Sequence, residues 1–381
     1  NSIIKHSDSA FQGKSLLTIE DNNSTDYSLL IGDYYYTDLL KGKAYLIHNI
    51  ELSQNIILSE SLPTFNGVNN NTVLGREWAS QGDIDNDNKT DLLIKITNPN
   101  TTNESKSVFV YLGKDKQKWT KEPSIRLNSN YLNNLTGDEK SDSLSINGDI
   151  NGDGYDDIII GADDDDGNGR VFLIFGNSES TLLGLNNLYL ENIRSSIENN
   201  NNALLIEFQG EKNQDHTGFN AKIISDINGD GLDDILISSY IPSEKFSEKR
   251  GLYVYLVYGQ DNKFQDKTID HIYNLSNSDA KFLSKSPNHT GLDGFGRTIE
   301  GLNDINGDGY GDFAINAPYS DNNKGAIYIY YGDRGTPFKG TLTDAWTAKI
   351  LGNSPNLYLG YNTKKASSQL ENFRVFRESV V

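Results

Sequence analysis

The sequence contains no cysteine among its 381 residues. Without thiols the chain can form no disulfide framework, no thiolate zinc site and no cysteine nucleophile, so these classes of protein are excluded. A large domain without disulfides fits a bacterial protein better than a vertebrate ectodomain, which favours a prokaryotic origin. Methionine is absent as well.

Long apolar runs and excess positive charge are also missing. No apolar run approaches the roughly 18 residues that span a bilayer, so we expect no membrane span in this segment. The chain has 34 Lys and Arg against 53 Asp and Glu, which gives a formal net charge of -19. Such a surface repels phosphate backbones and anionic lipids, so nucleic acid is not an expected partner.

An acidic motif recurs four times in the chain. Each copy opens with Asp and carries further acidic or amide residues at positions three, five and nine, immediately ahead of a short apolar stretch. Self-similarity at a fixed period is typical of repeat architectures. A degenerate fifth copy near residues 20–47 keeps the apolar stretches and loses the acidic residues. The four intact copies open at Asp83, Asp149, Asp226 and Asp304.

The apolar stretches in each repeat predict β-strands. They are short, rich in β-branched and aromatic residues, and bounded by Gly, Asn and Asp. The first stretch is apolar at consecutive positions, as at 158–160, which predicts burial of both faces. A sheet buried on both faces needs neighbours, and radial stacking of such sheets gives an all-β propeller. The second stretches, each closing on Gly, lie at 108–113, 171–176, 252–259 and 326–332.

The spacing within the acidic motif predicts a metal-binding loop. In the second loop, Gly152 and Gly154 allow left-handed turns that fold positions one, three, five and nine around a single point. Position seven adds a backbone carbonyl, and an all-oxygen site of irregular geometry favours Ca²⁺ over Mg²⁺. We therefore expect about four calcium ions. The predicted ligands are Asp83, Asp85, Asp87 and Asp91; Asp149, Asn151, Asp153, Tyr155 and Asp157; Asp226, Asn228, Asp230, Leu232 and Asp234; and Asp304, Asn306, Asp308, Tyr310 and Asp312.

An EF-hand loop begins with the same residues but differs later. It requires a bidentate Glu at position twelve and a helix on each side. Position twelve is an isoleucine within a predicted strand in every copy, so the EF-hand is excluded. In the first loop Asn88 replaces the second glycine, and Asn tolerates the left-handed conformation, so this loop should still bind its ion. The four isoleucines are Ile94, Ile160, Ile237 and Ile315.

Short elements flank the loops and carry a family resemblance. Phe-Gly-like elements precede them at 11–13, 74–75, 218–219 and 294–296, and Gly-Ala-Pro-like elements follow at 161–163 and 316–318. Together with the loops, these residues resemble the FG-GAP repeat of integrin α-subunit propellers and their bacterial relatives, over roughly residues 10–335. The resemblance implies a β-propeller of four-stranded blades, with the calcium loops on one face and the ligand on the opposite face.

We expect one domain over residues 1–381. The family usually forms seven blades, whereas five repeats and an eroded sixth can be counted here. A ring of six, a ring of seven with missing pieces and a propeller completed by a partner therefore stay open, and the tail at 371–381 is a candidate closing strand. The predicted repeats lie near 11–50, 74–113, 135–176, 208–259 and 294–332, with the eroded sixth at 346–381.

The function expected from the repeats is binding, and no catalytic motif is found. The resemblance implies a secreted or cell-surface adhesion module that recognises a protein or a carbohydrate, alone or within a larger surface assembly. Two alternatives are a carbohydrate-binding lectin and a non-catalytic module of a secreted hydrolase or lyase. Two further features have alternative readings: Tyr34, Tyr35 and Tyr36 either contact a partner or pack between blades, and the acidic run at 163–166 fits a solvated loop tip better than another cation site.

Overall fold

A computed structural model describes most of the acidic repeats and part of the segments around them. Among the residues that it describes, no helix has both the length and the apolar character that a bilayer crossing requires. The described residues are 4–6, 15–20, 27–33, 43–48, 56–58, 64–66, 73–97, 107–113, 122–130, 132, 143–162, 169–192, 204–211, 216–239, 253–261, 264, 268–269, 271–284 and 293–361.

The described part of the chain is built almost entirely from short strands. Helical structure in it is limited to Glu179–Leu183, one turn at Ser320–Asn323, and 3-10 turns at Leu190–Asn192 and Leu275–Asn277. The strands are β1 (Ile4–His6), β2 (Ser15–Glu20), β3 (Tyr27–Asp33), β4 (Lys43–His48), β5 (Ile56–Leu58), β6 (Thr64–Asn66), β7 (Val73–Gly82), β8 (Asp91–Thr97), β9 (Ser107–Tyr111), β10 (Ile125–Asn128), β11 (Leu144–Ser145), β12 (Ile158–Ala162), β13 (Arg170–Ile174), β14 (Leu205–Gln209), β15 (Thr217–Ile224), β16 (Asp234–Ser239), β17 (Tyr253–Val257), β18 (Thr268–Ile269), β19 (Ile272–Asn274), β20 (Ala280–Leu283), β21 (Ile299–Asn303), β22 (Asp312–Ala317), β23 (Ala326–Tyr331), β24 (Gly340–Leu342) and β25 (Ala348–Leu351).

The strands form five antiparallel meanders in chain order. The first sheet is β2-β3-β4-β6 and the second is β7-β8-β9-β10. The third begins β11-β12-β13-β14, the fourth β15-β16-β17-β20, and the fifth is β21-β22-β23-β25. Each of the five therefore contains the predicted four-stranded unit. A separate parallel pair joins β1 to β5.

Two sheets are wider than the sequence predicted. In both, an extra strand comes from the following unit. β19 lies between the third and fourth strands of the fourth unit and pairs in parallel with β14, the outer strand of the third sheet. β24 lies at the same place in the fifth unit and pairs in parallel with β20, the outer strand of the fourth sheet. A single parallel bridge between Asn128 and Tyr189 repeats this arrangement at the second sheet. These pairings satisfy the outer edges of the sheets, where unpaired backbone groups would otherwise be exposed.

The hydrophobic core consists of separate layers between successive sheets. One layer joins the first and second sheets, for example Leu30 and Leu92. The next three join the second to the third, the third to the fourth, and the fourth to the fifth. Ile160 faces one layer and Ile159 the next, and both are fully buried. The predicted burial of both faces is therefore confirmed, and the sheets stack face to face as blades of a β-propeller.

The segment at 346–381 differs from its predicted assignment near its beginning. Residues 348–351 form the outer strand of the fifth sheet and pair with β23. The Leu359 backbone then forms a parallel bridge with Gly325, as Thr217 does with Gly169 where the fourth sheet begins. The eroded sixth repeat, whose motif the sequence places near 359–360, stays a prediction. Residues 362–381, including the candidate closing strand, lie outside the described residues.

A buried ion pair in the second blade is hydrogen-bonded to the third blade. Lys95 Nζ lies 2.9 Å from Glu77 Oε2, and both side chains are less than a tenth exposed. Ser143, in the third blade, donates its N–H and its hydroxyl to Glu77 Oε1. We expect Lys95→Ala to lower the free energy of unfolding by about 3 kcal/mol, because it leaves an uncompensated buried carboxylate. Urea denaturation would measure the change, with Lys324→Ala in an exposed pair with Asp321 costing less than about 1 kcal/mol as the matched control.

Candidate metal centres

The four acidic loops occupy equivalent places in the second to fifth blades. They connect β7 to β8, β11 to β12, β15 to β16 and β21 to β22, so each joins the first two strands of its sheet. Each loop is hydrogen-bonded to the next, as when the Asp156 N–H donates to the Asp83 carbonyl at 3.2 Å. The loops therefore lie side by side at one end of the stacked sheets.

The first residue of each loop organises the backbone around itself. The Asp149 carboxylate accepts the N–H groups of Gly152 at 2.6 Å and Gly154 at 2.8 Å. Both glycines have the positive φ that the sequence predicted. In the first loop Asn88 also has a positive φ and donates its N–H to Asp83 Oδ2 at 2.7 Å. The expectation that Asn88 adopts the left-handed conformation is therefore confirmed.

The first loop brings three of its four predicted acidic ligands together. One carboxylate oxygen from each of Asp83, Asp85 and Asp91 lies within 4.8 Å of the others. Asp85 Oδ1 is buried and has no hydrogen-bond partner, which is costly unless a cation or another donor satisfies it. Asp87, the fourth, turns instead to Lys89, whose Nζ lies 2.9 Å from Asp87 Oδ2. The three gathered carboxylates suit a hard divalent cation.

The other three loops have Asn at position three and are arranged differently. Their acidic residues alone do not form a second group of three within that distance among the described residues. Asn228 Nδ2 donates to Asp230 Oδ2 at 2.9 Å, which links positions three and five. Asn306 and Asp308 make the same contact at 2.8 Å. Every predicted side-chain ligand of these loops can nevertheless offer an oxygen atom. Asp226 and Asp234 complete the set in the third loop, and Asp304 and Asp312 complete it in the fourth.

In the second loop the Nδ2 of the position-three residue, Asn151, makes no hydrogen bond to the position-five carboxylate. Asn151 is buried, and its Oδ1 accepts the N–H of Asp153 at 2.9 Å. Positions seven of the second, third and fourth loops are Tyr155, Leu232 and Tyr310. The N–H of each donates to the carboxylate at position five.

Position nine has a second role that the spacing did not indicate. Asp157 is fully buried, and its two oxygens accept the N–H groups of Ile150 and Gly176, both at 2.8 Å. Gly176 ends the second predicted stretch of that repeat. The same two contacts recur at the other three loops, through Asp91, Asp234 and Asp312. Each position-nine carboxylate therefore ties its loop to the end of a neighbouring strand.

Burial makes these carboxylates hard to ionise when no cation is bound. It raises the pKa of Asp91 to about 8, and backbone hydrogen bonds from Gly113 and Ile84 offset only part of this effect. Burial also raises the pKa of Asp157 and of Asp234 well above the usual range. The pKa of Asp85 rises to about 6, through burial and then repulsion from Asp87 and Asp83. A bound cation would favour the ionised form of all these groups.

We expect Asp157→Ala to destabilise the protein even in a calcium chelator. Two buried N–H groups would lose their acceptor, at a cost of about 2–4 kcal/mol in the free energy of unfolding. Asp153, an exposed residue of the same loop, is the matched control. Asp153→Ala should change the chelated protein by less than about 1 kcal/mol. Equal losses for the two variants in chemical denaturation would contradict the structural role of position nine.

Sequence reasoning missed the residue at position eight. In the second and third loops it is Asp156 and Asp233, each followed by the position-nine Asp. Asp156 Oδ2 accepts the N–H of Asp83 at 2.8 Å, and Asp233 Oδ2 accepts the N–H of Asp149 at 3.0 Å. The only signal in the sequence was the paired Asp-Asp in two of the four loops. Nothing local indicates that the first of the pair binds the preceding blade.

Some sequence predictions cannot be placed. Tyr34, Tyr35, Tyr36, the acidic run at 163–166, the Phe-Gly-like element at 11–13 and the degenerate loop of the first repeat lie outside the described residues. The other Phe-Gly-like elements are found where the next sheet begins. Gly218 and Gly296 there have φ of 92° and 81°, as expected for glycine at a close backbone approach.

Comparison with known proteins agrees with this architecture. The FG-GAP repeat model matches residues 146–174 and 295–330. Integrin alpha-4 of Xenopus laevis is 29% identical over 219 residues, which cover 58% of this chain and 17% of the relative. Integrin alpha-8 of Gallus gallus is 32% identical over 164 residues, or 41% and 14%. Integrin alpha-2 of Mus musculus is 40% identical over 68 residues, or 18% and 5%.

The chain spans less than a fifth of the length of these curated relatives. One repeat-model match contains the second acidic loop and the other contains the fourth, and both continue into the strands that follow. The matches and the stacked four-stranded sheets show a β-propeller that contains FG-GAP repeats and is similar to integrin α chains.

Proposed function

We propose that this chain is a calcium-stabilised, extracellular binding module without catalytic activity. The observation that carries the proposal is the repetition of one oxygen-rich loop at the same place in four blades. In the first of them, Asp83, Asp85 and Asp91 gather around a point and leave a buried oxygen of Asp85 without a partner. Calcium would supply the positive charge that such a cluster needs.

The proposed role of calcium is to hold the inner strands together. Position one organises the loop backbone and position nine anchors the loop to a neighbouring strand, so an ion held by both fixes the first two strands of a blade. The residues proposed as ligands are those at positions one, three, five and nine, together with the carbonyl at seven. Two carboxylates about 4 Å apart repel each other by roughly 4 kcal/mol at an effective dielectric of 20, which a cation removes.

The proposed ligand site lies at the opposite end of the blades. The connection from β22 to β23 is at that end and carries Tyr319, whose ring centroid lies 5.9 Å from Tyr358 and 6.2 Å from Tyr361. Tyr358 is 37% exposed and Tyr319 is half-buried beside it, and aromatic groups that reach solvent are favoured anchors for partners. Because the similar proteins are integrin α chains, we propose a protein ligand at this face and a cell-surface or secreted location.

Two experiments on the full chain test this function. Isothermal titration with calcium should show about four bound ions, and no uptake at millimolar calcium would contradict the calcium sites. A protein and glycan array should then identify a ligand whose binding Tyr319→Ala weakens. Tyr189→Ala, an exposed tyrosine at the outer edge of the second sheet, is the matched control. A ligand that binds both variants equally would place the binding face elsewhere.

A further inference from the structure

Three junctions, the contacts between one acidic loop and the next, join the four loops. They share their backbone hydrogen bonds, and the third differs in the side chain at position eight. At every junction the N–H of position eight donates to the carbonyl of position one in the preceding loop. These distances are 3.2 Å for Asp156 to Asp83, 3.1 Å for Asp233 to Asp149 and 2.7 Å for Gly311 to Asp226. At every junction, too, the position-two carbonyl accepts an N–H from the following blade. The backbone contacts are therefore common to all three junctions.

The carboxylate at position eight is present at only two junctions. The Oδ2 atoms of Asp156 and Asp233 accept the position-one N–H of the preceding loop, at 2.8 and 3.0 Å. Asp156 Oδ1 also accepts the N–H of Gly148, which precedes its own loop, at 3.2 Å. Each of these carboxylates thus joins the loop that carries it to the preceding loop.

The third junction lacks this bridge for a steric reason. Position eight of the fourth loop is Gly311, and a Cβ there would lie 2.6 Å from the carbonyl oxygen and 2.9 Å from the Cβ of Ser225. At the second junction the glycine lies on the other side of the contact. Gly148 precedes the second loop, and a Cβ on it would lie 2.8 Å from Asp233 Oδ2 of the third loop. Gly148 therefore leaves room for the position-eight carboxylate of the next loop. Ser225 takes the corresponding place at the third junction, and its side chain excludes a carboxylate there.

The bridge connects the proposed ligands of one loop with those of the next. Asp83 is a proposed ligand at position one, and Asp156 holds both its N–H and its carbonyl. The residue after Asp156 is Asp157, a proposed ligand at position nine of the second loop. An ion that fixes Asp83 thereby restrains the residue adjacent to Asp157. The same path runs from Asp149 through Asp233 to Asp234.

We propose that Asp156 and Asp233 are positioning residues that couple calcium binding in the first, second and third loops, and that the fourth loop binds its ion independently. The coupling rests on the calcium sites proposed above. Hydrogen-bonded networks in which every member is satisfied are rigid, so an ordered loop lowers the cost of ordering its neighbour. Coupling of binding sites is reciprocal, so calcium in the second loop strengthens binding in the first and third by the same factors as they strengthen it.

The test compares two knocked-out loops in calcium titrations of the full chain. Asp153→Ala removes a ligand of the second loop, and Asp308→Ala removes the equivalent ligand of the fourth. Each variant should lose one ion. Asp153→Ala should also weaken the neighbouring first and third sites by about 5-fold or more. After Asp308→Ala the three remaining ions should bind within twofold of their affinity in the unmodified chain, because Gly311 offers no carboxylate bridge.

A second comparison isolates the bridging carboxylates. In a chain with Asp156→Gly and Asp233→Gly, which copy the natural third junction, Asp153→Ala should no longer weaken the other sites. Asp333→Gly is the matched control, because this exposed carboxylate contacts only its own turn, at Gly335 and Thr336. Hydrogen exchange of the Asp83 amide provides a readout that does not depend on the isotherm. In calcium it should exchange faster after Asp153→Ala than in the unmodified chain.

The outcomes separate the coupling from the calcium sites themselves. If both knock-outs leave the remaining sites at unchanged affinity, the coupling is wrong while the calcium sites stand. If Asp308→Ala weakens the third site as strongly as Asp153→Ala does, the carboxylate is not the coupling element. If the unmodified chain takes up no calcium, the proposed function itself fails. Circular dichroism of each variant verifies that the strands are retained.

Discussion

Chelation of calcium is expected to lower the melting temperature of this protein by about 10 °C or more. Each site occupied at about 100 times its dissociation constant adds roughly 2.7 kcal/mol to the free energy of unfolding, so four sites add about 11 kcal/mol. That is comparable to the whole stability of an ordinary domain, about 5–15 kcal/mol. Unfolding entropy of about 2.1 cal/mol/K per residue converts the loss into a shift of this size. Differential scanning calorimetry with calcium and with a chelator measures it.

A chain without the position-five carboxylates is the control for chelation. It should melt at nearly the same temperature with and without calcium, and Asp153→Ala alone should reproduce at least a quarter of the chelation effect. If the unmodified chain gave superimposable melting curves in calcium and in chelator, calcium would have no stabilising role. The position-five residues to be replaced are Asp87, Asp153, Asp230 and Asp308.

The second large effect is a dependence of the stability of the calcium-free protein on pH. Burial raises the pKa of Asp91 to about 8 and that of Asp157 and Asp234 well above 3.8, so the folded chain holds protons that the unfolded chain releases. The contribution of these groups to the free energy of unfolding is therefore complete below about pH 4, and it is lost as the pH rises toward 8. Each such proton contributes a slope of about 1.4 kcal/mol per pH unit. The melting temperature in chelator should fall steadily from pH 5 to pH 8.

Calcium should reverse this trend, because the ion binds the ionised carboxylates and competes with the protons. Its apparent affinity should rise between pH 5 and pH 8, with protons released on binding. Asp91→Asn removes one titrating group, so its melting temperature in chelator should fall less steeply with pH. A melting temperature in chelator that rises over this range would contradict the assigned direction of the pKa shifts.

The local pattern of residues was sufficient to predict the strands and the loop conformation. Consecutive apolar residues such as those at 158–160 specify a strand buried on both faces, because each successive side chain points to the opposite side. The glycines at 152 and 154, and Asn88 in their place, specify left-handed turns, because these residues pay little for positive φ. Both properties depend on single residues and their immediate neighbours.

Contacts between blades could not be predicted in the same way. The role of Asp157 depends on Gly176, nineteen residues later, and that of Asp156 on Asp83, seventy-three residues earlier. Likewise, strand 348–351 resembles any short strand, and only its pairing with β23 assigns it to the fifth sheet.

The sequence by itself determined the repeat, the oxygen-rich loops and the strands beside them, because these depend on spacing and on backbone conformations of individual residues. Only the tertiary structure decided which carboxylates meet, which of them bond to backbone amides, and which loops are bridged. Those outcomes depend on the stacking of one sheet against the next. There a single atom, such as the missing Cβ of Gly311 against Ser225, determines whether a carboxylate fits.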